Sequence, residues 1–433
     1  MRNIIVVMYQ TSNSKGQELV AQRMVKWFTR FGYRSWLVTS VFHDDEPIVD
    51  LNHCNCNYVV FNRDPKVGVP SVRVRSIRVL WPPRRVMFVD FIEILNELDR
   101  ELGIDAVVTH STLWNGPEDV AKWITWRRTY RLLGGDVDVP IYAHMSHYQP
   151  PDPIRYNSYE RSYRLAWNSL IFPIIFQSCD LILCLTPLEV RDMLTLGAPP
   201  DKIHVFPYGL DDDEAKLIDE AKPDLVLEKY RLPRDKKIVT YLGTIEFRKN
   251  PLAVVRVAAK LVGRDDVFFV IAGRSGDQYR EVVELARKLP NIKVLGELSV
   301  EEKASLIKAS YINITLSRME ALGLTQLEFM YGGVPVITSG VYGQKWVVRD
   351  SVDGLHVKGP DDIDGAVEAV KRLLDDESLY AFMSRNARER AKRFLMSALM
   401  SRLINRLRKF KGEVQAIKLE GLHQKASGRS YYR

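Results

Sequence analysis

Residues 317–337 read SRMEALGLTQLEFMYGGVPVI and follow the β-branched run Tyr311–Leu316. This order gives a strand, a loop carrying Glu320, and a glycine that opens a helix. At such a helix start the first backbone N–H groups have no partner within the helix. Those of Gly323, Leu324 and Thr325 therefore form a cradle for an anion such as a diphosphate, with the helix dipole assisting. Glu328 falls about one and a half turns into the same helix. Its carboxylate can accept two hydrogen bonds at once from a vicinal diol such as the ribose 2′- and 3′-hydroxyls. Glu320, on the loop, would then face the hydroxyls of a neighbouring sugar. Spacing alone also fits two ordinary exposed charges.

The same alternation of short apolar strands and longer amphipathic segments extends in both directions, the pattern of parallel sheets with crossover helices. Strands are expected near 3–8, 34–40, 57–61, 105–109, 139–143, 180–184 and 203–206. After the loop Gly209-Leu210-Asp211 a second series follows near 237–243, 267–272, 291–295, 312–316 and 334–338. Gln17 to Phe31 reads as a helix, with Leu19, Val20, Met24, Trp27, Phe28 and Phe31 at helical spacing and Gly32 as its stop. Two such series in 433 residues predict an α/β protein of two Rossmann-like, doubly wound domains facing an interdomain cleft. The expected boundaries are 1–208 and 209–396. A helix at about 397–410 packs back on the first domain, and 411–433 form a basic tail. Residues 211–236 look like the crossing.

With 46% hydrophobic and 27% charged residues the chain has ample material for packed cores. A net charge of +8 suits anionic partners without choosing among them. Cys54, Cys56, Cys179 and Cys184 lack paired CxxC spacing and read as thiols of a reducing compartment. His53-Cys54-Asn55-Cys56 has no second half-site and reads as local structure, so no metal is expected. The first strand is too short for a signal peptide, and the apolar run Leu170–Phe176 is too short to span a bilayer. A cytoplasmic protein is expected.

The 317–337 segment resembles the E-x7-E signature of the family-4 retaining glycosyltransferases, including the glycine after the first glutamate and the trailing G-G-x-P-V. Val205-Phe206-Pro207-Tyr208-Gly209-Leu210-Asp211 is similar to that family's V-x-P-N-G-V-D linker, with Tyr208 where the family has Asn. Tyr241-Leu242-Gly243 to Lys249-Asn250 resembles its G-R-x-x-x-x-K-G loop. Ile271-Ala272-Gly273 and Val294-Leu295-Gly296 match the next two glycine-terminated strands. The resemblance implies the GT-B fold, a nucleotide diphosphate sugar as donor, and transfer with the anomeric configuration kept. It implies no divalent ion, because a helix N-terminus with Lys or Arg can neutralise the leaving diphosphate. Lys249 occupies the family's phosphate-binding position. Thr244 stands where the family has Arg, and Arg248 is the neighbouring cation able to compensate.

In the first half, Tyr142-Ala143-His144-Met145-Ser146-His147 resembles the family's strand ending in His-Asp or His-Ser. His144 takes the matching position, facing the reacting centre, with His147 and His110 as lesser candidates. Gly16 retains one glycine of a Gly-Gly turn that approaches the diphosphate or the acceptor. The resemblance thus implies His144, Glu320 and Lys249 at the reaction, and Gly16, Arg248, Lys249, Gly323, Leu324, Thr325 and Glu328 around the donor.

Lys66 to Val86 is rich in Lys and Arg without an acidic residue. It reads either as an acidic-lipid docking surface, which would place the protein peripherally on the inner membrane face, or as a solvated sheet face, since Val72-Arg73-Val74-Arg75 alternates. No nucleic-acid module accompanies the charge. The acceptor stays open among lipid-linked, polysaccharide and small-molecule classes. A sugar-nucleotide epimerase and a catalytically silent sugar-nucleotide-binding protein are the rival readings.

Overall fold

The computed structural model describes residues 1–426 except 14–15, 52–55, 80–85, 113, 149 and 154–155, with side chains described through residue 411. His53, Cys54, Leu80, Trp81, Arg84, Arg85, Ser14 and Lys15 lie outside the described residues, as does the end of the basic tail.

The β-branched runs pair into two large sheets, beside two short two-stranded ones. The first is eight-stranded, in the order Ile203–Val205, Leu181–Cys184, Ile141–Met145, Ala106–His110, Asn3–Met8, Arg34–Ser40, Ser71–Val74, Tyr58–Phe61. All neighbours are parallel except the last pair. The second is six-stranded and parallel throughout: Ile292–Gly296, Val267–Ala272, Lys237–Leu242, Ser310–Thr315, Val336–Thr338, Gly354–His356. Helices cover both sheets, so central strands such as Asn3–Met8 are buried along their whole length. Helix Gly16–Arg30 contributes Val20, Met24, Val25 and Phe28 to the first core.

In each sheet the strand order reverses beside the first strand, between Asn3–Met8 and Ala106–His110 and between Lys237–Leu242 and Ser310–Thr315. Ligands of such sheets lie beyond the carboxyl ends of the strands at those points. The chain crosses between the units twice, and the crossings hold each other: Leu210 N–H donates to Phe394 O and Met396 N–H to Leu210 O, both at 2.9 Å. The last helix, Met396–Ala426, returns to the first unit, where Arg408 Nε donates to Tyr33 Oη at 2.6 Å and Lys411 pairs with Asp105.

Two local expectations differ from the structure, and one gains detail. Residues 211–236, expected as the crossing, run between the two sheets and carry helices Asp212–Glu220 and Asp224–Lys229, the first capped by the Asp211 side chain. The final helix continues past residue 410, because Lys411 to Ala426 is composed mostly of good helix formers. Arg73 is not on a solvated face. Strand Ser71–Val74 lies inside the sheet with both faces covered, and the fully buried Arg73 binds Asp64, Nε to Oδ2 at 2.7 Å. Ile77 and Arg78 remain exposed. Among the described residues no helix is long and apolar enough to cross a membrane.

Candidate active site

The carboxyl ends of both sheets face one cleft of about 630 Å³. Its wall on the second unit is built around helix Leu324–Tyr331. Gly323 caps that helix at φ 98°, a left-handed conformation that favours glycine. Gly323, Leu324, Thr325, Glu320 and Glu328 all line the cleft. Across it, Gly16 opens helix Gly16–Arg30, and a Cβ on Gly16 would lie 3.6 Å from Leu324 Cδ1. The two helix starts expected at the donor therefore meet from opposite units.

Strands Lys237–Leu242 and Val267–Ala272 end close together. Gly273, at φ 140°, leaves only 1.9 Å between a Cβ and Gly243 O. Beyond Gly243 the chain forms a short 3-10 turn, Phe247–Lys249, which brings Arg248 and Lys249 into the cleft. Lys249 Nζ binds Glu320 Oε2, so the cation and the carboxylate expected on phosphate and sugar neutralise each other. Arg248 binds Glu246 and donates from its second nitrogen to Met319 O at 3.4 Å, while Arg318 N–H donates to Arg248 O at 2.9 Å. The 244–250 loop is thereby tied to the loop that carries Glu320. Thr244 lines the cleft, its carbonyl accepting from Tyr241 Oη at 2.8 Å.

Glu328 is buried, and its Oε1 accepts from Lys303 Nζ at 2.8 Å. Lys303 also faces Glu214 at 3.9 Å, and Glu214 binds Arg23 of the first unit at 2.6 Å. Burial pulls the Lys303 ammonium down, but Glu328 and Glu214 outweigh it and the pKa is raised. Lys303 is therefore charged and fixes one carboxylate oxygen of Glu328.

On the first unit the two histidines separate. His144 is fully buried in strand Ile141–Met145, with Nδ1 2.8 Å from Thr109 Oγ1 on the neighbouring strand and the ring edge-on to Phe172. Burial, with His110 adding to it, lowers its pKa to about 3, so it is neutral. It does not line the cleft; His147 does. His147 sits in the left-handed region at φ 39°, stacked on Tyr208 at 5.4 Å between centroids, with Nδ1 bonded to the Tyr208 hydroxyl. Burial, Glu189, Glu18 and Tyr9 raise the Tyr208 pKa well above its ordinary value. The phenol thus keeps its proton and can donate it to Nδ1, which places the ring proton of a neutral His147 on Nε2.

The loop that carries His147 is organised by Glu189, which accepts from Ser146 Oγ at 2.9 Å, from Leu185 N–H at 2.5 Å and from Tyr148 N–H. Lys303 and Glu189 carry no sequence signal as site residues, and the pairing of Tyr208 with the lesser candidate His147 carries none, because each acts through space on a partner far along the chain. Tyr208 did stand out as the residue replacing Asn in the linker.

Residues 14–214 match the family model described as Glycosyltransferase Family 4, and residues 224–390 the model described as Glycosyl transferases group 1. The chain is 26% identical over 243 residues to D-inositol 3-phosphate glycosyltransferase 1 of Catenulispora acidiphila, covering 53% of this chain and 57% of that protein. It is 31% identical over 228 residues to D-inositol 3-phosphate glycosyltransferase of Mycolicibacterium smegmatis, covering 51% and 50%. The alignments thus span about half the length of these relatives. Among solved structures, sucrose-phosphate synthase from Thermosynechococcus elongatus superposes with a TM-score of 0.69 at 17% identity, covering 95% of this chain and 100% of that one. HepE of Anabaena in complex with UDP-glucose gives 0.65 at 14% identity, covering 94% and 100%. These likenesses give the fold, GT-B.

Proposed function

The chain belongs to the family-4, group 1 glycosyltransferases, and on that premise we propose that it moves a hexose from a nucleotide diphosphate sugar to an acceptor, retaining the anomeric configuration without a divalent ion. The observation that carries this reading is the convergence of Glu320, Glu328, Lys249 and the Gly323–Thr325 helix start on one cleft. The complex of HepE with UDP-glucose supports a nucleotide sugar as donor.

In this mechanism the diphosphate lies on the amides of Gly323 to Thr325 and competes with Glu320 for Lys249. Once Lys249 turns to the phosphates, Glu320 is released to accept hydrogen bonds from the donor sugar. Glu328, steadied by Lys303, takes the ribose hydroxyls. Negative charge that grows on the β-phosphate as the bond breaks meets a fixed cation and the helix terminus, which is the function a metal serves elsewhere. Arg248 supplies further charge on leaving Glu246. His147 donates from Nε2 to a sugar hydroxyl, whereas His144 holds the strand behind it. The acceptor enters along the first unit, and the reaction is placed in the cytoplasm.

The silent-binder reading draws on Thr244, which brings no charge to the phosphates. A thermal-shift screen of nucleotide sugars, followed by mass spectrometry of a labelled best binder with candidate acceptors including D-inositol 3-phosphate, separates the readings. Label in a new glycoside supports transfer; an isomerised donor indicates an epimerase; a shift with no product indicates a silent binder.

A further inference from the structure

A second cavity, of about 450 Å³, lies at the hinge and shares no lining residue with the donor cleft. Arg390, Arg393, Arg402, Arg406 and His204 line it, and no carboxylate does. Among the described residues Arg393, Arg402 and Arg406 have no ion-pair partner. Asp353, the carboxylate that acts on Arg390, is bound by Arg349 at 2.6 Å. Arg390 is fixed in place: its guanidinium lies 5.5 Å from the Trp346 ring and 5.1 Å from Phe394, and it donates to Trp346 O at 2.8 Å.

Two buried polar atoms on lining residues have no hydrogen-bond partner among the described residues, His204 Nε2 and Arg406 Nε. Burial, with Arg406 adding to it, lowers the His204 pKa, so the imidazole is neutral. The remaining lining is apolar: Phe206, Pro207, Phe394, Leu399 and Leu403. Like charges against low-dielectric walls focus a positive field, and the volume lies within the range of small-molecule pockets.

We propose that this cavity is a second ligand site, which binds a small organic anion carrying a phosphate or carboxylate on an apolar body. The arginines would hold the anionic group, and the leucines and Phe206 the body. Its walls come from strand Ile203–Val205, from Trp346 of the second unit and from both ends of the Phe394–Met396 crossing. An occupant would therefore touch both units at the hinge.

The test is calorimetry of 1-naphthyl phosphate, with 1-naphthol and inorganic phosphate as controls, against the Lys249→Ala chain so that the donor cleft is disabled. Binding about tenfold or more tighter than either control, and lost by about tenfold or more on adding Arg393→Gln with Arg402→Gln, is the expected result. Both arginines are exposed, and an unchanged melting midpoint checks the fold of the variant. As a measurement that needs no variant at the hinge, the probe should protect Arg393 and Arg402 of the unaltered chain from phenylglyoxal, read by peptide mass spectrometry. Equal affinity in the arginine variant, absence of protection, or no binding at about 10 mM probe overturns the proposal.

Discussion

Replacing Glu328 tests the donor site where the structure gives the most detail. Its Oε1 is held by Lys303 at 2.8 Å, so the carboxylate is oriented before any ligand arrives and little ordering remains to be done on binding. A charge-assisted hydrogen bond is worth roughly 1.5–3 kcal/mol. Losing the equivalent of one should weaken a nucleoside diphosphate about ten- to hundredfold. Glu328→Ala also deprives Lys303 of its nearest counter-ion, leaving Glu214 at 3.9 Å, so Glu328→Gln, which keeps the shape, belongs beside it. Calorimetry with the best-binding nucleoside diphosphate and its 2′,3′-dideoxy analogue closes the cycle. The unaltered protein should discriminate the two by that factor, and Glu328→Ala should hardly discriminate. Equal discrimination in both proteins would refute the assignment of Glu328 to ribose.

Lys249→Ala should lower kcat on the order of 10²-fold, near 3 kcal/mol of transition-state stabilisation, measured by donor turnover under saturating substrate. If Arg248 supplies the charge missing at Thr244, Arg248→Ala loses a comparable factor and Thr244→Arg partly restores it; an unchanged rate shows that Lys249 and the helix amides suffice. His147→Ala should cost on the order of 10²-fold in rate with little change in melting midpoint, while the fully buried His144, replaced by Ala, should lose about 2 kcal/mol or more of stability, and the reverse pattern would exchange their roles. Burial pushes Glu189 up to about 7 from an ordinary 4.5, against the pull of Tyr148 N–H, Leu185 N–H and Ser146 Oγ. Below about 4.5 it is protonated in both states; between there and about 7 only the unfolded chain releases the proton, so stability falls by up to about 3 kcal/mol as pH rises through that window. Melting curves across that range should lose this slope in Glu189→Gln.

The parts of this architecture set by local patterning were legible in the sequence. Runs such as Ile4-Ile5-Val6-Val7 have no stable place outside a covered sheet, and Gly323 marks a helix start through its backbone rather than its partners. The cleft wall of the second unit was legible for the same reason, since a strand, loop and helix in succession carry Glu320, Gly323 and Glu328 within a few residues. What periodicity could not supply was pairing across the fold. Val72-Arg73-Val74-Arg75 alternates like a half-buried strand, but the antiparallel neighbour Tyr58–Phe61 closes that edge and Asp64 buries Arg73. His144 and His147 stand three residues apart, and only the register of His144 with Thr109 sends one into the sheet and the other to the cleft. Lys303 and Glu189 find their partners from separate helices, a relation with no signature along the chain.

The central claim is metal-independent transfer with retention. Its most direct measurement is proton NMR of the glycoside formed first, before any rearrangement, from an α-linked nucleotide sugar in the presence of excess EDTA. The account predicts an α-glycoside, read from the anomeric coupling constant, at a rate unchanged by the chelator. A β-glycoside, or transfer abolished by EDTA and restored by Mg2+ or Mn2+, would contradict it.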